Sequence, residues 1–130
     1  MPVPDNQPKD HSTVSAYVMV NQADRLIAFL EQVFGAEVVM RLARDDASVM
    51  HASVRIGDSV VMLADAMADY PASPAWLHVY VADVDATYAK AISLGADMVQ
   101  IPIAKGDGDK RGGFKDPAGN TWWIATPTVS

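Results

Sequence analysis

Residues 34–39 read FGAEVV, and nearly the same phrase returns as LGADMV at residues 94–99. In each copy a glycine closes a stretch of helical periodicity and opens a strand. Ahead of the first copy, Leu26, Ile27, Leu30, Val33 and Phe34 fall on one helix face, with Asn21 or Asp24 as cap and Gly35 as a left-handed stop. Ahead of the second, Val84, Thr87, Tyr88, Ala91 and Leu94 repeat that stripe between Asp83 and Gly95. Further matches keep the register. VNQAD at 20–24 lies over VADVD at 81–85, and VVMLA at 60–64 over TWWIA at 121–125, at an offset of about 61 residues.

The strands fill in around the two helices. Ser15–Val20, Glu37–Leu42, Val49–Ile56 and Val60–Ala64 read as strands of the first half, turned at Asp45-Asp46 and Gly57-Asp58. Trp76–Val81, Met98–Ile101, a short strand from Phe114 and Thr121–Thr126 read as strands of the second. Gly106–Gly113 reads as a loop and Asp116-Pro117-Ala118-Gly119 as a turn. Each half is therefore a βαβββ module, and neither is large enough to bury a core alone. The expected organisation is a prolyl tail or strap at 1–13, a first module at 14–64, a linker with two prolines at 65–75 and a second module at 76–127. Together 14–127 form one α+β domain of mixed sheets.

Composition excludes several classes of function. Of 130 residues half are apolar and none is Cys, so a disulfide scaffold, a thiolate metal site and a cysteine nucleophile are ruled out. Ten basic residues against 16 acidic give a net charge of −6. That balance argues against a nucleic-acid partner and favours neutral or cationic small molecules. No apolar stretch approaches membrane-spanning length, and a soluble, cytoplasmic protein is expected.

Alternation along the strands separates two faces. Ala16, Val18 and Val20, Leu77, Val79 and Val81, Val61 with Leu63, and Trp122 with Ile124 form the face for helices. The opposite face carries Ser15, Tyr17 and Met19; His51, Ser53 and Arg55; Met62; Trp76, His78 and Tyr80; and Trp123. Rings mixed with polar tips suit a planar organic ligand, while the same residues could also fill a sheet–sheet interface. His51 and His78 are the candidate hydrogen-bonding imidazoles, with a satisfied core histidine as the alternative. Arg55, Lys110 and Arg111 are the candidate anion clamps, Arg55 pairing with Asp58 or facing solvent otherwise. The loop AKGDGDKRGG at 104–113 precedes a strand, so it is no phosphate cradle. Its Asp107 and Asp109 read as a solvated turn, and the loop as a flap hinged at Phe114. No nucleophile elbow, dinucleotide fingerprint or P-loop occurs, and no catalytic residue is assigned.

The segments RLIAFLEQVFGAE, VMHASVRIGDSVVMLAD, LHVYVADVDA and FKDPAGNTWWIAT make the chain resemble the vicinal oxygen chelate superfamily over roughly Val14 to Pro127. That superfamily includes glyoxalase I, bleomycin-resistance proteins and extradiol dioxygenases. The resemblance implies paired modules forming curved sheets around a cavity, usually in a homodimer. It also implies metal-ligand positions, and these fall on Ser15, Met62, Trp76 and Trp123, none a first-choice ligand. The leading expectation is therefore a metal-free protein, without cofactor, that sequesters a planar or aromatic, neutral or cationic ligand. Its contacts would be Ser15, Tyr17, His51, Met62, Trp76, His78, Tyr80, Arg111, Phe114 and Trp123. The alternatives are an enzyme of the superfamily (a lyase, isomerase or thiol transferase, with a metal if His51 and His78 converge) and a structural dimer with a filled interior.

Overall fold

The computed structural model describes residues 6–128; residues 1–5 of the expected tail lie outside the described residues. The elements run β1 (Tyr17–Val20), α1 (Ala23–Phe34), β2 (Glu37–Ala43), β3 (Val49–Ile56), β4 (Ser59–Asp65), β5 (Trp76–Tyr80), α2 (Val84–Ser93), β6 (Asp97–Ala104), β7 (Asp109–Lys115) and β8 (Thr121–Pro127). Two βαβββ modules are thus present, each with one four-stranded mixed sheet, ordered β1-β4-β3-β2 and β5-β8-β7-β6. The first strand of each module pairs in parallel with the last, and the other pairings are antiparallel. The chain divides into two compact units, one ending at Ser73 and the other beginning at Pro74. All three tryptophans belong to the second. No helix among the described residues is long and apolar enough to cross a membrane.

In the first unit the helical stripe does what its spacing dictates. Leu26, Ile27, Leu30 and Val33 are buried, with Phe29, against Val18, Val20, Ala52, Val54 and Leu63 of the sheet. Each large aliphatic side chain so covered contributes roughly 1.5–3 kcal/mol. Gly35 takes the left-handed conformation, φ 65°, and closes α1 as expected. The start of α1 differs from expectation. Neither Asn21 nor Asp24 caps it; Gln22 sits there at φ 58° without a side-chain cap. The Asp65 carboxylate, at the end of β4, accepts instead from Ala23 N at 2.8 Å and from Val49 N at 2.7 Å. Asp24 is free to pair with Arg41, which holds its carboxyl below the usual carboxylate range.

The second unit is built on the same plan with a smaller helix contact. Val84 and Ala91 are buried, Leu94 is exposed, and Asp83 caps α2 by accepting from Ala86 N. The core is completed by Phe114, Trp122 and Ile124 and by one buried carboxylate. Asp116 accepts from Ala118 N, Asn120 N, Asn120 Nδ2 and Trp122 Nε1 at 2.7–3.1 Å. Asn120 passes the connection on by accepting from Ala75 N through Oδ1. Four donors on one carboxylate are what make a buried charge tolerable.

Two sequence expectations are corrected. Gly106–Gly113 is not all loop, because β7 begins at Asp109 and carries Lys110 and Arg111 on a strand. Phe114 is no flap hinge: in register with Trp122, it is fully buried on the helix side of the sheet.

Candidate functional site

Apart from Phe114, and from Ser15 ahead of β1, strand register places the sequence-selected residues on the sheet faces turned away from the helices, in two groups. In the second unit β5 presents Trp76, His78 and Tyr80, and β8 sets Trp123 opposite His78. β7 sets Gly113 beside Trp123 and Arg111 beside Ala125. The two indoles meet edge to face with centroids 5.6 Å apart, and Trp76 is 76% exposed. Trp123 lies across Gly113, where a Cβ would come within 2.8 Å of its ring carbons. Only glycine leaves room for the ring there. A cavity of about 310 Å³ opens beside the pair, lined also by Gln100, Ile103, Lys105 and Arg111. The Trp123 Nε1 donor is buried with no partner.

Arg111 organises the polar half of this face. Its Nη1 donates to Asp107 at 2.9 Å, its Nη2 to Asp109 at 2.6 Å and its Nε to His78 Nε2 at 3.1 Å. Tyr80 donates its hydroxyl to the same Asp109 oxygen at 3.0 Å. The hydrogen bond from Arg111 holds the exposed Asp107 carboxyl below its ordinary range, and the bond to Asp109 raises the Tyr80 phenol. Partial desolvation, then the Arg111 charge, lower the His78 imidazole, against a smaller opposing pull from Asp109. Asp107 and Asp109 therefore form no free turn; they are the struts of Arg111. Three of the five guanidinium N–H groups are committed, leaving two for a ligand.

In the first unit Ser15 stands just ahead of β1, its Oγ buried and unpartnered. Tyr17 pairs with Met62 and Met62 with Ser53 in register. Tyr17 Oη lies 3.1 Å from His51 Nδ1, and His51 Nε2 lies 3.2 Å from Ser53 Oγ. Sequence reasoning missed one member of this chain. His11, read as part of a tail, also places Nε2 3.2 Å from Ser53 Oγ. Residues around it, with Met40, His51 and Met62, enclose a cavity of about 370 Å³. No local signal announces that docking, because it depends on a sheet face assembled from distant strands. The same segment supplies Asp10 to Arg55, which pairs with Asp10 and Glu37 and not with Asp58. Lys110 pairs with Asp85, so each expected anion clamp already has a carboxylate.

The repeated βαβββ module, the DPAGN turn and the two sheet orders match a known family. The model of the Glyoxalase/Bleomycin resistance protein/Dioxygenase superfamily fits residues 10–124. The chain belongs to that superfamily. An uncharacterized protein of Mycobacterium bovis, Mb0911c, is 30% identical over 128 residues, covering 88% of this chain and 82% of that one. Among solved structures, TioX from Micromonospora sp. ML1 superposes with a TM-score of 0.73 at 25% identity, covering 92% of this chain and 98% of that one. TnmS3 from Streptomyces sp. CB03234, described as an antibiotic binding protein, gives 0.69 at 21% identity, covering 91% and 100%.

Metal-dependent members of the superfamily need convergent imidazole or carboxylate donors. Ser15, Met62, Trp76 and Trp123, the positions expected from the resemblance, offer no such set, and an indole nitrogen has no lone pair to give. Among the described residues no three His, Asp or Glu side chains cluster. His51 has both ring nitrogens engaged, and His78 has its Nε2 engaged. The residues present do not fit a metal of that kind.

Proposed function

We propose that this protein captures a planar aromatic small molecule, neutral or cationic, and holds it without a metal and without chemical change. The capture surface is the Trp76–Trp123 pair. The observation that carries this reading is the combination of a 76% exposed indole, a second indole set edge-on 5.6 Å away, and an adjoining cavity of about 310 Å³. A large ring left in water beside a hollow gains on covering, and a stacked ring adds roughly 0.5–1.5 kcal/mol beyond area. Polar orientation comes from the two uncommitted N–H groups of Arg111, from His78 and from the orphan Trp123 Nε1, which a ligand acceptor would satisfy. Phe114, expected as a contact, leaves this proposal, being fully buried. The similarity to an antibiotic binding protein supports binding of a small molecule.

A homodimer is part of the same proposal, supported by Met98, Val99 and Ile101 standing exposed on edge strand β6.

Calorimetric titration and tryptophan quenching against a panel of planar antibiotics test the reading. At least one compound should bind saturably. Trp76→Ala should weaken it about tenfold, the loss of one stacked ring and its covered area, and Trp76→Phe should restore most of it. Absence of saturable binding across the panel, or identical binding by Trp76→Ala, overturns the proposal.

A further inference from the structure

Of the cations in this chain, Arg44 is placed most unusually. It is half-buried where the β2–β3 turn begins, and it forms no ion pair among the described residues. Its guanidinium donates to neutral oxygens, to Asp65 O at 2.9 Å and to Ser48 Oγ at 3.3 Å. The neighbouring carboxylates are committed elsewhere. Asp46 accepts from Ser48 N and Oγ, and Asp65 from Ala23 N and Val49 N. Asp46 feels the Arg44 charge but forms no salt bridge with it, and a guanidinium with donors to spare and no carboxylate in direct contact is a poised anion contact.

Arg44 borders a cavity of about 640 Å³ whose other walls are Tyr17, Met19, Met50, Met67 and Tyr70, with Ala64 behind. That volume lies in the range of drug-sized ligand pockets. The outer wall is built rather than loose. Met67 and Tyr70 exchange backbone hydrogen bonds at 2.8 and 3.0 Å, closing a tight loop. The loop is tied to β1 at both ends, through Ala66 N to Val20 O and Ser73 N to Met19 O. Tyr17 has its hydroxyl tied to His51. Three thioethers and two phenol rings make a wall that adapts to flat apolar shapes.

We propose that this pocket, built from first-unit residues, is a further binding site for a flat apolar organic acid whose single anionic group is held by Arg44. The net charge of −6 does not oppose it, since fields from distant surface charges fade beyond about 8 Å at physiological salt while Arg44 makes direct contact. The site stands on first-unit residues alone and does not depend on the proposed capture by Trp76 and Trp123.

The test uses two fluorescent probes of nearly equal shape: the anion anilinonaphthalene sulfonate and uncharged phenylnaphthylamine. Each is titrated into full-length protein carrying methyl-labelled methionine. The sulfonate should shift the methyl signals of Met19, Met50 and Met67 saturably, and bind more tightly than the uncharged probe. Arg44→Met should weaken the sulfonate by about tenfold or more, the effect expected of a lost hydrogen bond to a charged group. It should leave the uncharged probe within about twofold, since no charged contact is involved. Arg44→Lys, which keeps the charge, should fall between and serves if the methionine variant folds poorly. Shifts confined to Met40, Met62 or Met98, equal binding of the two probes by the unaltered protein, or an equal loss of both probes in Arg44→Met would overturn the site.

Discussion

Arg111 Nε donates to His78 Nε2 across 3.1 Å, and the imidazole can accept there only while that nitrogen keeps its lone pair. The contact fixes His78 as the neutral tautomer with its proton on Nδ1. It also turns the face of β5 into a site that senses acid.

The His78 midpoint should therefore lie below its ordinary 6.5, with desolvation and then Arg111 as causes. The sign follows from linkage. The unfolded chain binds this proton more readily, so the contribution of His78 is complete above 6.5 and is lost as pH falls through the lowered folded value. Nitrogen-resolved NMR titration should find Nε2 unprotonated at neutral pH. Arg111→Leu should raise the midpoint, because one of its two lowering causes is gone while Asp109 still raises it. A midpoint above 6.5 in the unaltered protein would falsify the assignment.

Gly113→Ala should destabilise the second unit by about 1–3 kcal/mol, because its Cβ meets the Trp123 ring and the strand has no room to yield. Urea denaturation gives the magnitude. Combined with Trp123→Ala, the cost of Gly113→Ala should drop by at least half, since the obstructing ring is gone.

Asp116→Ala leaves four donors without their acceptor, among them the buried indole N–H of Trp122. A loss of about 3 kcal/mol or more is expected. Asp116→Asn, which keeps one carbonyl oxygen, should cost less. Equal midpoints for Asp116→Ala and the unaltered protein would show that the node is dispensable.

Asp65→Ala removes the remote cap of α1 and the tie to β3 together, a cost of about 1–2 kcal/mol. Amide exchange is the sharper measurement. Ala23 and Val49 should lose protection, while the caps of α2 stay unchanged.

Much of this architecture is legible along the chain. Periodicities of helix and strand, two glycine stops and a repeat offset near 61 residues specify the modules and which strand faces carry Tyr17, His51, Trp76 and Trp123. What escaped reading has a common cause: partners distant in sequence. Gly112 and Gly113 look like loop residues because nothing local shows Pro102 and Trp123 pressing on them. They mark close packing within β7, not freedom. Asp24 looks like a helix cap because Asp65 is 42 residues away from Ala23, whose amide it accepts. Asp107 and Asp109 look solvated until Arg111 lies between them. Arg44 carried no signal at all, since being unpaired is a property of the folded surroundings.

With every indole placed after Pro74, the protein comes with a built-in optical label on one half only. Melting followed by long-wavelength tryptophan emission reports the second unit, while amide circular dichroism averages both. If the two curves part, the halves unfold separately; if they coincide, the duplicated modules melt as one cooperative body.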